Sequence, residues 1–245
     1  MTKIVQKPFI FANINTNYLI LTLKSSHMTD FAKNELTQPS RLGYRGHYDR
    51  DTIYAIMDEA FDCTVSYLEG GIPKAIPTGF VRIEDKLYIH GSIKSHFIQQ
   101  ICSNPIVCIT ISLLDGMVLA NTAFNHSFNY RGVVAFATPH EVKDELLKLE
   151  VLRLFTNKLL PGRWEDNIVK PTVEEMMITS VICMTLNDAS AKIREGQPKN
   201  QANATKEVWT GYIPLRRSWK APVISQDVPE SIKQPDYITI FVEQQ

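Results

Sequence analysis

No apolar run in this chain is long enough to span a bilayer. The longest candidate, around Ile106 to Ala120, is interrupted by Asp115 and Gly116. An excess of charge is missing too, since 26 basic residues balance 26 acidic ones. That removes the electrostatic footprint of a nucleic-acid or membrane-surface binder. The four cysteines are scattered, with no C-x-x-C pair, so neither a zinc ribbon nor a disulfide framework is expected. Three of them lie in apolar runs and read as buried free thiols of a reducing compartment, which places the protein in the cytoplasm. Six histidines occur without metal-ligand spacing, so no metal site is expected. No G-x-S-x-G, P-loop or G-x-G-x-x-G is present, which excludes those hydrolase, triphosphatase and dinucleotide-binding designs.

What is present is an ordinary globular composition, 44% hydrophobic and 21% charged over 245 residues, enough for one core or at most two. Residues 1–27 differ from the rest: they hold no Asp, Glu or Arg and three lysines. They read as a disordered extension, or as a stretch ahead of a natural start at Met28. The working division is an extension over 1–38, one domain over 39–219 and a tail over 220–245.

Within the domain, Ile53, Ile56, Met57 and Ala60 recur at helical spacing, with Asp51 as the expected N-cap. Alternation then predicts strands at Cys63–Leu68, Ala75–Ile83 and Leu87–His90, with Glu69-Gly70-Gly71 as a hairpin turn. A helix is expected at about 93–103 and a strand over Ile106–Leu114. Asp115-Gly116 reads as a hairpin with a return over Met117–Phe124, followed by a strand over Arg131–Ala137. Lys143–Leu160 is the best helix, and Thr172-Val-Glu-Glu175 is a capping box. Ser180–Leu186 reads as a strand, Asp188–Arg194 as a turn or short helix, and Val208–Leu215 as a last strand. Little periodicity follows Lys220, which predicts a loosely packed tail. At least six antiparallel strands with few helices favour a barrel over an open sheet.

Polar residues cluster at strand ends. The stretch Lys86–Ser95 is a strand running through Gly91 into a helix start, where Ser92, Lys94 and Ser95 would suit a phosphate. A capped helix with a solvated lysine is the plainer reading. Asn125–Arg131 reads equally as a polar turn, and Ala189–Arg194 as a solvated loop. Trp209-Thr-Gly-Tyr212 reads as core packing, or as a place where Gly211 lets a planar ligand reach the backbone.

Eight segments in order carry a family resemblance: Arg45–Asp49, Leu87–Ser92, Asn104–Thr110, Leu113–Gly116, Asn129–Arg131, Pro161–Trp164, Ser190–Lys192 and Trp209–Tyr212. Over roughly Pro39 to Leu215 the chain resembles the FMN-binding split-barrel proteins related to pyridoxamine 5′-phosphate oxidase, especially the nitroimidazole-reductase-like branch. The resemblance implies a mainly β fold with peripheral helices, a six-stranded antiparallel split barrel. It also implies a homodimer with two FMN molecules in the interface. Ser92, Lys94 and Ser95 would hold the phosphate beside His90 and Gly91. Pro77 and Thr78 would line the flavin edge, and Asn129, Tyr130 and Arg131 would approach the ring or ribityl chain. Lys192 and Trp209 would come from the partner. A cation at the flavin N1–O2 edge stabilises reduced flavin; Arg131 and Lys192 are both candidates. The implied activity is that of a flavin-dependent oxidoreductase or reductase of a small molecule, with non-catalytic FMN binding as the alternative. Oxidation of vitamin B6 is disfavoured, because no Arg-x-His follows Trp209-Thr-Gly-Tyr212.

Overall fold

The computed structural model describes residues 29–204 and 207–243. The expectation for residues 1–27 lies outside them. Among the described residues no helix is long and apolar enough to cross a membrane.

The chain runs β1 (Gly46–His47), α1 (Arg50–Glu59), β2 (Asp62–Glu69), β3 (Ile72–Gly79), β4 (Val81–Ile83), β5 (Lys86–Ser92) and α2 (His96–Ile101). It continues through β6 (Val107–Leu119), β7 (Ser127–Glu141), α3 (Glu145–Leu159), α4 (Val173–Met177), β8 (Thr179–Arg194), β9 (Gly211–Pro214) and α5 (Asp236–Glu243). All pairings are antiparallel. The main path is β3-β2-β6-β7-β8-β5-β4, with β1 added beside β8 and β9 beside β6.

The two ends of that path explain the barrel. β3 and β4 are the outermost strands, yet only Phe80 separates them in the chain. The sheet must therefore curl until its edges meet, while no ladder joins them. This is a split barrel. The single return strand expected over Ala75–Ile83 is thus two strands on opposite edges. Its alternating pattern could not reveal the break, because Phe80 is fully buried in the barrel core and keeps the run apolar.

Val65, Leu87, Ile89, Ile109, Ala135 and Met184 fill the interior, and Ile53, Ile56 and Met57 of α1 join the same core. Full burial of each such side chain contributes roughly 2 kcal/mol. A second cluster lies on the outside, where Val151 and Leu147 of α3 pack on Val81, Tyr88, Val181 and Cys183. Ahead of the barrel, Phe31 is buried in the main core and its N–H donates to Tyr48 O.

Several local expectations are corrected. Asp49, not Asp51, caps α1: its Oδ1 accepts from Thr52 N at 2.8 Å, and Asp51 sits in the first turn. Asp115-Gly116 makes no hairpin; β6 runs through it with a register shift. The reason is close backbone approach. A Cβ on Gly116 would stand 2.5 Å from the carbonyl oxygen of Ile213 on β9, so glycine marks a crossing of strands rather than a turn. Asp188–Arg194 is neither turn nor helix but the second half of β8, whose register shifts where Leu186 and Asp188 oppose consecutive residues of β7. The last strand is confined to Gly211–Pro214. The tail beyond Lys220 holds α5, anchored by Trp219 against Phe61 and Phe241 and by Tyr237, whose hydroxyl donates to Asp166 at 2.7 Å. The capping box at Thr172–Glu175 is present as read.

Candidate functional site

The residues singled out by sequence fall into two groups. In the first, β5 carries His90, Gly91 and Ser92 into the turn before α2. Phe155 of α3 joins this group to the end of β3. Its ring meets the His90 ring edge-on at 4.5 Å, and a Cβ on Gly79 would lie 2.8 Å from it. Thr78 precedes Gly79 on β3, registered with Cys63 of β2. Burial under α3 lowers the His90 pKa, so the ring is neutral at pH 7, and its Nδ1 is buried without a partner.

At the turn, Ser92 Oγ accepts from Lys94 N at 3.2 Å and Ser95 Oγ accepts from Ile98 N at 3.5 Å. Each hydroxyl keeps its own proton to donate. Lys94 is exposed beside them. Two hydroxyl donors and an ammonium at one turn match a phosphate chemically. Gly91 faces inward, where a Cβ would stand 2.9 Å from Ile98. Its role is packing of α2 on β5.

The second group lies at the other end of β8. Ser92 is registered with Thr179 at the start of that strand, while Gly132 and Gly46 are registered with Lys192 near its end. β8 has sixteen residues, so about 40 Å of extended chain separates the groups. Here Tyr130 pairs with Arg194, and Asn129 Oδ1 accepts a hydrogen bond from Arg194 Nη1. Lys192 is exposed. Trp209 is also exposed; its ring covers Gly211, where a Cβ would come within 2.8 Å of the indole. That glycine therefore makes room for the tryptophan's own ring.

Arg131 lies beside the second group in the β7–β8 ladder, registered with Ile193, but its side chain faces the other way. Its guanidinium forks onto Asp115, with Nε to Oδ2 at 3.0 Å and Nη2 to Oδ1 at 2.8 Å. A second fork reaches Glu59 at the end of α1, with Nη2 to Oε1 at 2.7 Å. These bonds raise its pKa further, and two carboxylates more than neutralise it. As a cation for reduced flavin, Arg131 is spent. The cluster forms one wall of an open pocket of about 650 Å³ between the end of α1, the start of β2, the middle of β6 and residues 215–219. That is a volume suited to a small molecule.

Two features escaped the sequence reading. Arg194 was noted only as part of a loop, although it is 8% exposed. Lys158 carries no sequence signal of its own within the α3 stripe, yet its ammonium sits 3.7 Å over the Phe80 ring at the seam of the barrel. Burial there pulls its pKa down to about 8. A charged residue following β-prone sequence was the available signal for Arg194. None existed for Lys158.

Against solved structures, the chain is similar to flavocytochrome Anf3 from Azotobacter vinelandii, with a TM-score of 0.79 and 30% identity over 84% of this chain and 96% of that one. It is similar to the FAD and heme binding protein from Mycobacterium smegmatis, with a TM-score of 0.76 and 26% identity over 81% of this chain and 97% of that one. A putative 5-nitroimidazole antibiotic resistance protein from Bacteroides thetaiotaomicron shares the fold, at a TM-score of 0.51 and 20% identity over 60% of this chain and 86% of that one. No curated protein matches. The family model described as pyridoxamine 5′-phosphate oxidase matches residues 49–193, more than half of the chain, and this protein belongs to that family.

Proposed function

We propose that this protein binds a flavin nucleotide and uses it in electron transfer to or from a small molecule, as a cytoplasmic oxidoreductase. One observation carries the reading: the likeness to a flavocytochrome spans 84% of this chain and 96% of that one at 30% identity. The residues present fit the group. The turn of Ser92, Lys94 and Ser95 offers phosphate donors, and His90 precedes it on the same strand. A bound flavin supplies reversible hydride or electron chemistry. The chain's own part is to hold the phosphate, orient the ring and exclude water from it.

The flavin we favour is FAD, because the similar mycobacterial protein is an FAD binder. FMN, implied by the family resemblance, shares the ring, the ribityl chain and the first phosphate. The separation of the two residue groups along β8 supports a homodimer, in which Lys192 and Trp209 of one copy reach the flavin held by the other. Exposed Leu114, Met117, Phe128 and Val134 on β6 and β7 offer an apolar face for that contact.

The test is to release the cofactor from purified protein and determine its absorption and mass. Flavin peaks with the mass of FAD are expected, at one per chain, with bleaching by a reduced nicotinamide. Absence of any flavin from protein made in flavin-replete cells would overturn the proposal. The mass of FMN would restore the narrower expectation. Turnover of pyridoxamine 5′-phosphate would show that the missing Arg-x-His does not exclude B6 chemistry. Flavin that no donor reduces would leave a non-catalytic binder.

A second reading, heme binding, is favoured by one side chain. His126 holds Thr122 O at 2.8 Å through Nδ1, which turns its Nε2 lone pair outward, the arrangement of a ligating histidine. Exposed Phe124 and Phe128 flank it. A pyridine hemochrome spectrum of wild type and His126→Ala tests this; equal heme in both sinks the assignment.

A further inference from the structure

The end of β8 holds a buried positive charge that the chain does not neutralise. Arg194 is 8% exposed, and its guanidinium donates only to neutral oxygens: Asn129 Oδ1, Gly196 O at 3.2 Å and Gln197 O at 3.3 Å. Buried charges are ordinarily paired, because leaving water costs several kcal/mol per ion. Here the neighbours make matters worse. Lys192 lies two residues away on the same strand and is registered with Gly46, next to Arg45. Burial pushes down the pKa of Arg194, and the charge of Arg45 lowers it further. Arg45 and Lys199 both stand at the ring of Tyr44, at 5.7 and 5.9 Å. The Arg45 hydrogen bond, helped by the charges of Arg45 and Lys199, draws the Tyr44 phenol below its usual range.

Among the described residues, none of Arg45, Lys192, Arg194 and Lys199 takes part in an ion pair. Glu195, adjacent in sequence, is exposed and pairs with none of them. Nor can the undescribed residues supply an acidic side chain: residues 1–28, Thr205, Lys206, Gln244 and Gln245 include no Asp or Glu. Beside the cluster, the Tyr48 hydroxyl is buried without a partner, 3.2 Å from where a Cβ on Gly46 would sit. Tyr44 itself is 68% exposed, so Arg45 and Lys199 lie against its ring without burying it and leave surface that a base can reach.

We infer that Arg45, Lys192, Arg194 and Lys199 form a site for the diphosphate of a nucleotide, with the base on Tyr44. Four cations without a carboxylate suit a multiply charged anion better than a neutral ligand, and an open aromatic ring adds a sequence-tolerant stacking platform for a base. Two sources carry this chemistry: the adenylate half of an FAD whose flavin phosphate lies at the Ser92 turn of a second copy, and a nicotinamide dinucleotide. The first deepens the flavin reading and rests on it. The second does not.

The experiment titrates inorganic pyrophosphate into the purified full-length protein and reads binding calorimetrically and by thermal shift, at constant ionic strength set with chloride. It compares wild type with R45Q/K199Q, at one half-buried and one exposed position outside the core, and with the conservative Arg194→Lys. Expected is saturable binding by wild type, weakened at least tenfold in R45Q/K199Q and in Arg194→Lys. No pyrophosphate binding by wild type, or equal binding by all three, would overturn the inference. So would dissociation of a dimer in R45Q/K199Q without pyrophosphate binding in wild type, since the counter-ion would then be a carboxylate of a second copy. FAD and FMN titrations name the source. An adenylate site makes the double variant lose at least tenfold more affinity for FAD than for FMN. A dinucleotide site leaves flavin content unchanged and weakens NADPH instead. Pyrophosphate binding is read without reference to flavin, so loss of the flavin reading leaves this result standing.

Discussion

Arg131 and Arg194 are near neighbours across one antiparallel pair, and the protein treats them in opposite ways. Arg131 of β7 is registered with Ile193, and Arg194 of β8 with Tyr130, so strand alternation sends the two side chains to different faces. On the face toward α1, Arg131 is locked by two bidentate carboxylates. On the other face, Arg194 has neutral oxygens and like charges. The first arrangement is complete within the chain and is structural. The second is incomplete and asks for a ligand. Charge alone therefore does not mark a binding residue; an unbalanced charge does.

The largest effect is expected where the completed face depends on close packing. Gly116→Val should drive a side chain into the Ile213 carbonyl 2.5 Å away, detach β9 from β6 and cost about 3 kcal/mol, read from the urea midpoint. An unchanged midpoint would mean that β9 is not held there. Next, Glu59→Gln with Asp115→Asn should convert Arg131 into a second Arg194. A loss of about 2 kcal/mol is expected, moderated because these side chains are partly exposed, together with new stabilisation by added phosphate. Loss of stability without phosphate dependence would break the analogy.

Smaller is the effect of R45Q/K199Q on the anion-free protein. Removing like charges from around Arg194 should leave stability within about 0.5 kcal/mol of wild type, tending upward. A marked loss would show that these cations have partners of their own. The smallest signal is optical. The Tyr44 phenol titrates below its usual range because of the Arg45 hydrogen bond and the Lys199 charge. Bound pyrophosphate, by neutralising those cations, should move it back up, as should R45Q/K199Q. Absorbance at alkaline pH, with Tyr44→Phe as the blank, reads that shift; an opposite shift would place the anion elsewhere.

Much of the barrel was legible because it rests on local periodicity. The alternation of β2, β5 and the first half of β6, the stripe of α3 and the capping box of α4 follow from neighbouring residues alone. Misreadings fell where a distant backbone decided the outcome. Asp115-Gly116 has the chemistry of a hairpin, but β9 lies against it and Arg131 claims the aspartate. Asp188–Arg194 has the composition of a loop, but β1 and β7 pair with it on either side.

The candidate site was legible in its parts and not in its arrangement. Ser92 and Ser95 announce a polar turn before a helix by residue type and spacing. That His90 is buried under Phe155, and that Arg131 is neutralised by Glu59 seventy-odd positions earlier, depends on how α1 and α3 dock. By itself the sequence determined the strand-rich character, the helix caps and the family, since each is written in short-range pattern or in motif order. Only the tertiary structure decided that the sheet curls until β3 meets β4, and which arginine is satisfied. Whether a charge is compensated depends on what lies across the fold from it, and no local pattern encodes that.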